Sequence, residues 1–262
     1  MNSYKSEEEK HYDSKYQDDR EYSYPDENEL IINDKVNIAA RRYIENSARE
    51  IIKKKLYGEI LDYGCAIGEK TYKFSSENWK ISGIDISSKS VQIARLLSEK
   101  FNINAEYVVM DCENLTFIDN RFDIIYDFGT FSSLDMNKAI VELCRVLKPD
   151  GCLLAIETLG DNPVFKFKRF LNVVFGSRTR WAASHIMKIK DWEEIRKFFN
   201  NSDIKYFSLF TPYLSPLLRI IPQKRHYEII SYFEKLDSKL LKYRFFKQFA
   251  FKAVAILSNP VK

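Results

Sequence analysis

Four aspartates close four successive β-rich runs: Asp62 in Ile60-Leu61-Asp62-Tyr63-Gly64, Asp85 in Gly83-Ile84-Asp85-Ile86, Asp111 in Met110-Asp111-Cys112-Glu113, and Asp127 in Tyr126-Asp127-Phe128-Gly129. Asp85 follows Asp62 by 23 residues, a spacing at which a carboxylate can accept both hydroxyls of a ribose. An acid at Asp111 can take a hydrogen bond from an exocyclic amine while a neighbouring backbone N–H pairs with a ring nitrogen. The turn Gly64-Cys65-Ala66-Ile67-Gly68 uses small residues, so the backbone can approach a ligand closely. Two details separate it from a dinucleotide loop. Glu69 stands where G-x-G-x-x-G would need a small residue, and Asp62 would repel a pyrophosphate while suiting a positively charged ligand. Each acid alone reads most simply as a cap or turn residue. Four in succession describe a nucleoside with a cationic arm and no phosphate, its reacting group near Asp127 and Phe128.

The elements that must position these residues alternate. Strands are predicted at Glu59–Tyr63, Lys80–Ile86, Ala105–Met110, Asp123–Phe128 and Cys152–Glu157. Helical patterns cover Asp34–Leu56, Ser87–Phe101 and Asp135–Lys148, the last stopped by Pro149 and Gly151. Strands separated by such helices form a mainly parallel sheet, with ligands at the carboxyl ends of the strands.

Composition narrows the class. The chain has 262 residues, 45% hydrophobic and 30% charged, enough for one large domain with a sizeable core. No apolar run approaches the roughly 18 residues of a spanning helix, and the N-terminus has no signal-like apolar stretch. Cys65, Cys112, Cys144 and Cys152 have no metal-ligand spacing, so no metal is expected and reduced thiols in a cytoplasmic protein are. The net charge of +4 hides a gradient. Residues 1–30 hold ten acids, four bases and five tyrosines, and cannot fold alone. They read as a solvated tail, or as a lid anchored by Tyr12 and Tyr16. Residues 162–190 hold seven Lys/Arg, no acids and five aromatics, among them Trp181. That segment reads as a wet-faced amphipathic helix, or as a peripheral membrane or anionic-substrate contact.

LDYGCAIGEKT resembles motif I of the class I S-adenosylmethionine-dependent methyltransferases, and GIDIS, MDCENLTF, RFDIIYDFGT and ELCRVLKPDGCLLAIE resemble the motifs that follow it, in order, over roughly residues 57–158. The resemblance implies an α/β, Rossmann-like, seven-stranded, mostly parallel sheet with its last strand antiparallel, and helices on both faces. The last strand would be Phe249–Leu257 and its hairpin partner Ile204–Phe210. Domain limits follow: a tail at 1–30 and a methyltransferase domain at 31–262. A helical, aromatic-rich substrate cap would come from insertions at about 159–190 and 212–247. Carried over, Gly64, Cys65, Ala66 and Gly68 line the methionine end of the cofactor, Asp85 holds the ribose, and Asp111 and Cys112 frame the adenine. Asp62, Ile86 and Asp127 complete the expected contacts. Ala66 replaces the middle glycine of motif I, which costs little provided its φ is negative. Asp150 replaces the first glycine of the later turn. A histidine frequent after the fourth strand is absent, since Ser132, Ser133 and Leu134 lie there.

The expected reaction is methyl transfer from S-adenosylmethionine to oxygen or nitrogen of a small, apolar or amphipathic molecule, leaving S-adenosylhomocysteine. Phe128 and Trp181 are the expected substrate contacts. His185 is the candidate base, since an imidazole can accept a proton at neutral pH, and His185→Ala is expected to lower turnover by about tenfold or more. Two other classes stay open: an RNA or protein methyltransferase docking through 162–190, and a non-catalytic cofactor-binding protein. Nucleic acid is disfavoured as a partner because no recognised RNA-binding module is present.

Overall fold

The computed structural model describes residues 3–16, 21–24, 38–162, 165, 179–214, 218 and 220–262. Most of the basic aromatic segment expected to dock partners, and residues 34–37 of the first long helical pattern, lie outside the described residues. In chain order the elements are α1 (Ser3–Asp13), α2 (Ile38–Lys53), β1 (Gly58–Tyr63), β2 (Trp79–Asp85), α3 (Ser88–Lys100), β3 (Ala105–Val109) and β4 (Phe122–Phe128). They continue with α4 (Met136–Val146), β5 (Leu147–Thr158), α5 (Arg180–Ser184), α6 (Ile189–Ile195), β6 (Phe199–Phe207), α7 (His226–Leu240), α8 (Arg244–Lys247) and β7 (Lys252–Pro260).

The seven strands form one sheet in the order β3-β2-β1-β4-β5-β7-β6. β1 to β5 pair in parallel, and β7 runs antiparallel to both β5 and β6. This is the architecture expected, with small corrections of boundary. α4 stops at Val146, before the predicted Lys148, because Pro149 disfavours helical dihedrals at the residue before it and β5 already starts at Leu147. β6 starts at Phe199 rather than Ile204, and it ends at Phe207 rather than Phe210 because the chain turns at Ser208 with φ +64°. β7 starts at Lys252 rather than Phe249, since a helical turn runs through Arg244–Lys247 just upstream.

Alternation in the strands sorts side chains to two faces. Ile60, Ile81, Ile124, Leu154 and Val254 meet Ala40, Ile44 and Ala48 of α2 on one face. Leu61, Ile84, Ile125, Leu153 and Ala255 meet Ile140 and Leu143 of α4, with Trp192 of α6, on the other. Burying each such Ile or Leu fully contributes about 1.5–3 kcal/mol, so these two layers fix where the strand ends project. Ser87 caps α3 by accepting the Ser90 N–H, and Asp135 caps α4 by accepting that of Asn137.

The acidic N-terminal segment is not simply solvated. Its α1 places Tyr4, Lys5, Glu8 and Tyr12 on one face, at spacings of three, four and eight residues, and that face lies against the sheet's carboxyl edge. No helix among the described residues is long and apolar enough to cross a membrane.

Candidate active site

β1 leads into a turn in which Gly64, Ala66 and Gly68 all have positive φ, at +69°, +48° and +77°. A Cβ on Gly64 would collide with the Thr130 side chain, so this position requires glycine on two counts. Ala66 corrects the expectation of a negative φ. It holds a left-handed conformation that disfavours an L side chain by roughly 1–2 kcal/mol. The Ala66 N–H is turned inward, 2.9 Å from Asp85 Oδ2, and that hydrogen bond holds the conformation.

The four aspartates occupy different places. Asp62 is buried under the turn, accepts the Thr71 hydroxyl at 2.5 Å and does not line the cavity. Burial pushes its carboxyl up to about 7, the nearby Asp85 adding to it and the Thr71 hydroxyl opposing. Asp85 lines the cavity. Its Oδ1 accepts the Ser87 N–H at 2.8 Å, so two of its roughly four lone-pair sites remain for a ligand's hydroxyls. Burial raises its carboxyl as well, although the two N–H groups pull the other way. Asp111 lines the cavity beside Cys112 and Glu113, and accepts the Glu113 N–H at 2.9 Å. Asp127 is fully buried and lies outside the lining. It accepts the Thr130 N–H at 3.1 Å, and Glu157 accepts that of Phe131 at 2.6 Å. These two acids thus hold the loop that carries Gly129 and Thr130 into the cavity wall. Burial, then the Glu157 charge, hold Asp127 well above the ordinary carboxylate range.

The cavity has a volume of about 170 Å³ and is walled by Gly64, Ala66, Asp85, Ile86, Asp111, Cys112 and Phe128 from the sheet edge. Cys65 and Gly68 lie behind it, Cys65 buried against Val91 and Tyr107, and Gly68 against the Tyr107 ring. All four cysteines are buried and unbridged. Burial pushes the Cys65 and Cys112 thiols well up, with the Asp62 and Asp85 charges respectively adding to it.

α1 forms the outer wall through Lys5, Glu8 and Tyr12. Lys5 pairs with Asp111 and with Glu113, the latter at 2.9 Å, and the Tyr4 hydroxyl donates to Glu113 at 2.7 Å. The Tyr12 hydroxyl is 3.2 Å from Ser133 Oγ, Glu8 accepts the Thr179 hydroxyl, and Asp13 accepts the Ser87 hydroxyl at 2.6 Å. Lys5, Glu8 and Glu113 were not expected from sequence. The signal available was the spacing of residues 4, 5, 8 and 12 on a helix, obscured by how little apolar surface that face has. Tyr16 lies close to Asp85, whose charge adds to burial in pushing the phenol up to about 12.

His185 is not brought to the cavity. Its ring stacks on Trp181 with centroids 3.7 Å apart, and Nδ1 lies 2.9 Å from Ser184 Oγ and 3.0 Å from the Trp181 carbonyl. Trp181 is also stacked on Tyr4 at 3.8 Å, so it anchors α1 rather than walling the cavity. Among the described residues no group of three or more His, Cys, Asp or Glu could hold a metal ion.

Residues 60–151 match the family model described as "Methyltransferase domain". The match spans 92 of the 262 residues and likens this part of the chain to a methyltransferase domain. Over 104 residues the chain is 38% identical to a ubiquinone/menaquinone biosynthesis C-methyltransferase, UbiE, of Francisella tularensis, covering 37% of this chain and 42% of that protein. The chain spans less than half the length of that curated relative. Among solved structures, geranyl diphosphate C-methyltransferase of Streptomyces coelicolor A3(2) superposes with a TM-score of 0.59 at 14% identity, covering 100% of this chain and 99% of that one. The cyclase SpnF superposes with a TM-score of 0.56 at 19% identity, covering 86% and 82%. At these identities the two structures show the fold alone, and one of them is named for a different chemistry.

Proposed function

We propose that the chain transfers the methyl group of S-adenosylmethionine to a small apolar or amphipathic acceptor. The observation that carries this reading is Asp85: a half-buried carboxylate at the end of β2, with two lone-pair sites left open to the cavity and Gly64 and Asp111 beside it. These residues fit the donor's chemistry, a diol for Asp85, an exocyclic amine for Asp111, and a backbone without Cβ at Gly64. When bound, S-adenosylmethionine supplies an electrophilic methyl and a thioether leaving group, the C–S bonding pair ending on sulfur as the new bond forms.

The chain's own part is orientation and exclusion of water, which together can lower a barrier by several kcal/mol, within the roughly 7–11 available from well-placed reactants. The cavity is smaller than the roughly 300 Å³ at the low end of small-molecule sites. Lys5, Glu8 and Tyr12 fill part of it, so α1 acts as a lid that lifts for entry and closes over the bound pair. With His185 outside the cavity, and Lys5 held in ion pairs, an oxygen or nitrogen acceptor must present its lone pair without proton removal by a histidine of this cavity. A carbon acceptor is the second reading, favoured by the name of the curated relative, and product analysis separates the two.

Calorimetric titration with S-adenosylhomocysteine tests the proposal. Heat is expected with the native chain, and Asp85→Ala should weaken binding on the order of a hundredfold, the value of two hydrogen bonds to a charged group. No heat with the native chain would overturn it.

A further inference from the structure

Three cations surround one ring of the cavity wall. From the Phe128 centroid, Lys70 Nζ is 4.9 Å away, Arg41 Cζ 5.9 Å and Lys252 Nζ 6.0 Å. They come from remote parts of the chain: α2, the turn after β1 and the start of β7. Register places Lys252 at the same carboxyl edge as Phe128, and the three cations lie around that ring behind the cavity lining rather than in it. Phe128 ends β4, Thr158 ends β5, and Lys252 is paired with Thr158 across the sheet.

Arg41 carries the argument. It is only 6% exposed. Its Nε donates to Glu45 Oε1 at 2.7 Å, and Glu45 is shared with Lys73 at 2.5 Å. Both Nη1 and Nη2 are buried with no hydrogen-bond partner among the described residues. A ring face can attract a guanidinium but cannot accept its in-plane donors. Burying a charged group with unmet donors is unfavourable unless a counter-ion completes it. The open edge of a guanidinium fits two oxygens of a carboxylate or phosphate in a fork. Of the other two cations, Lys70 pairs with Glu69 at 2.6 Å and Lys252 donates to Thr158 Oγ1 at 2.9 Å.

We infer that Arg41, with Lys70 and Lys252, forms an anion subsite, and that the methyl acceptor bears a carboxylate or phosphate held there while its apolar part lies over Phe128. This rests on the methyl-transfer reading above. It divides the cleft at β1, the nucleoside on the β2–β3 side and the acid group of the acceptor on the β4–β7 side. An equivalent oxygen pair could come from the donor's own amino-acid carboxylate, and the test separates the two sources.

The full chain, saturated with S-adenosylhomocysteine, is titrated at constant ionic strength with hexyl phosphate, hexanoate and hexanol. Absence of S-adenosylhomocysteine binding in this first step would sink the methyl-transfer reading and not the subsite alone. With donor product bound, hexyl phosphate or hexanoate should bind at least tenfold more tightly than hexanol, and whichever does so names the acid group. R41Q should abolish that preference, and K70Q, a more exposed position, should reduce it severalfold without a change in melting temperature. Hexanol binding as well as both anions would overturn the inference, as would an unchanged preference in both variants. Weakened S-adenosylhomocysteine binding in R41Q, with the anion preference intact, would also overturn it and assign the guanidinium to the donor's carboxylate.

Discussion

The β2–β3 side of β1 and its β4–β7 side differ in the sign of their charges and in how those charges are answered. On the first, Asp85, Asp111 and Glu113 face the cleft, and each has partners: backbone N–H groups for Asp85, and Lys5 with the Tyr4 hydroxyl for the other two. On the second, Arg41, Lys70 and Lys252 gather around Phe128, and both terminal nitrogens of the Arg41 guanidinium have no hydrogen-bond partner among the described residues. The acidic side is thus closed by the chain itself, through α1, whereas the basic side is incomplete without a ligand. A cleft arranged in this way can recognise one molecule by hydroxyls and amines and another by an anionic group, without either competing for the other's partners.

The largest effect on this contrast comes from Asp62, the acid buried beneath the acidic side. With its folded carboxyl raised to about 7, against an ordinary value of 3.8, its stabilising protonated form is fully present below about pH 4 and is lost as pH rises through 7. Denaturant titrations of the native chain should show a fall of a few kcal/mol over that window, and Asp62→Asn, which still offers an oxygen to Thr71, should make it shallower, the raised Asp85 and Asp127 carboxyls leaving a remainder. A native profile as flat as the variant's would mean the acidic side is not crowded. Next in size is Lys5→Ala, which removes the cation that joins α1 to Asp111 and Glu113. Trypsin cleavage at Lys10 and Lys15 should speed up by roughly fivefold or more, and unchanged cleavage would show that the acidic side is not closed by this contact.

Such acids were legible in the sequence because strand ends are. A parallel sheet announces itself through alternating strand and helix periods, and the residue after each strand faces the cleft whatever the details of packing. Asp85 and Asp111 were found in this way, as was the turn from Gly64 to Gly68. That Asp62 and Asp127 would sit behind the wall rather than in it depends on one-residue alternation at the strand end, which a motif does not resolve. The basic side could not be read at all. Positions 41, 70 and 252 are joined only by the crossing of α2 over β5 and β7, and no local pattern marks them. His185 failed for the opposite reason: its neighbourhood in sequence was suggestive, but stacking on Trp181 turned it away from the cavity.

Two smaller effects sharpen the picture. Ala66→Gly relieves the left-handed backbone in the turn and should raise stability by about 0.5–1 kcal/mol, read by chemical denaturation; a loss would mean that the Asp85 contact does not fix this conformation. His185→Ala should change turnover less than about twofold, since its Nδ1 contacts stay within α5 and its ring lies on the far side of Trp181. A larger loss would return it to the mechanism.

The sealed thiol at Cys112 gives the closed cleft a clock. Only 5% exposed and held as the unreactive thiol by burial, it sits on the cavity wall directly behind the helix proposed to lift. An alkylating reagent reaches that sulfur only in the moments when the entrance stands ajar, so the pace of its modification counts those moments one molecule at a time.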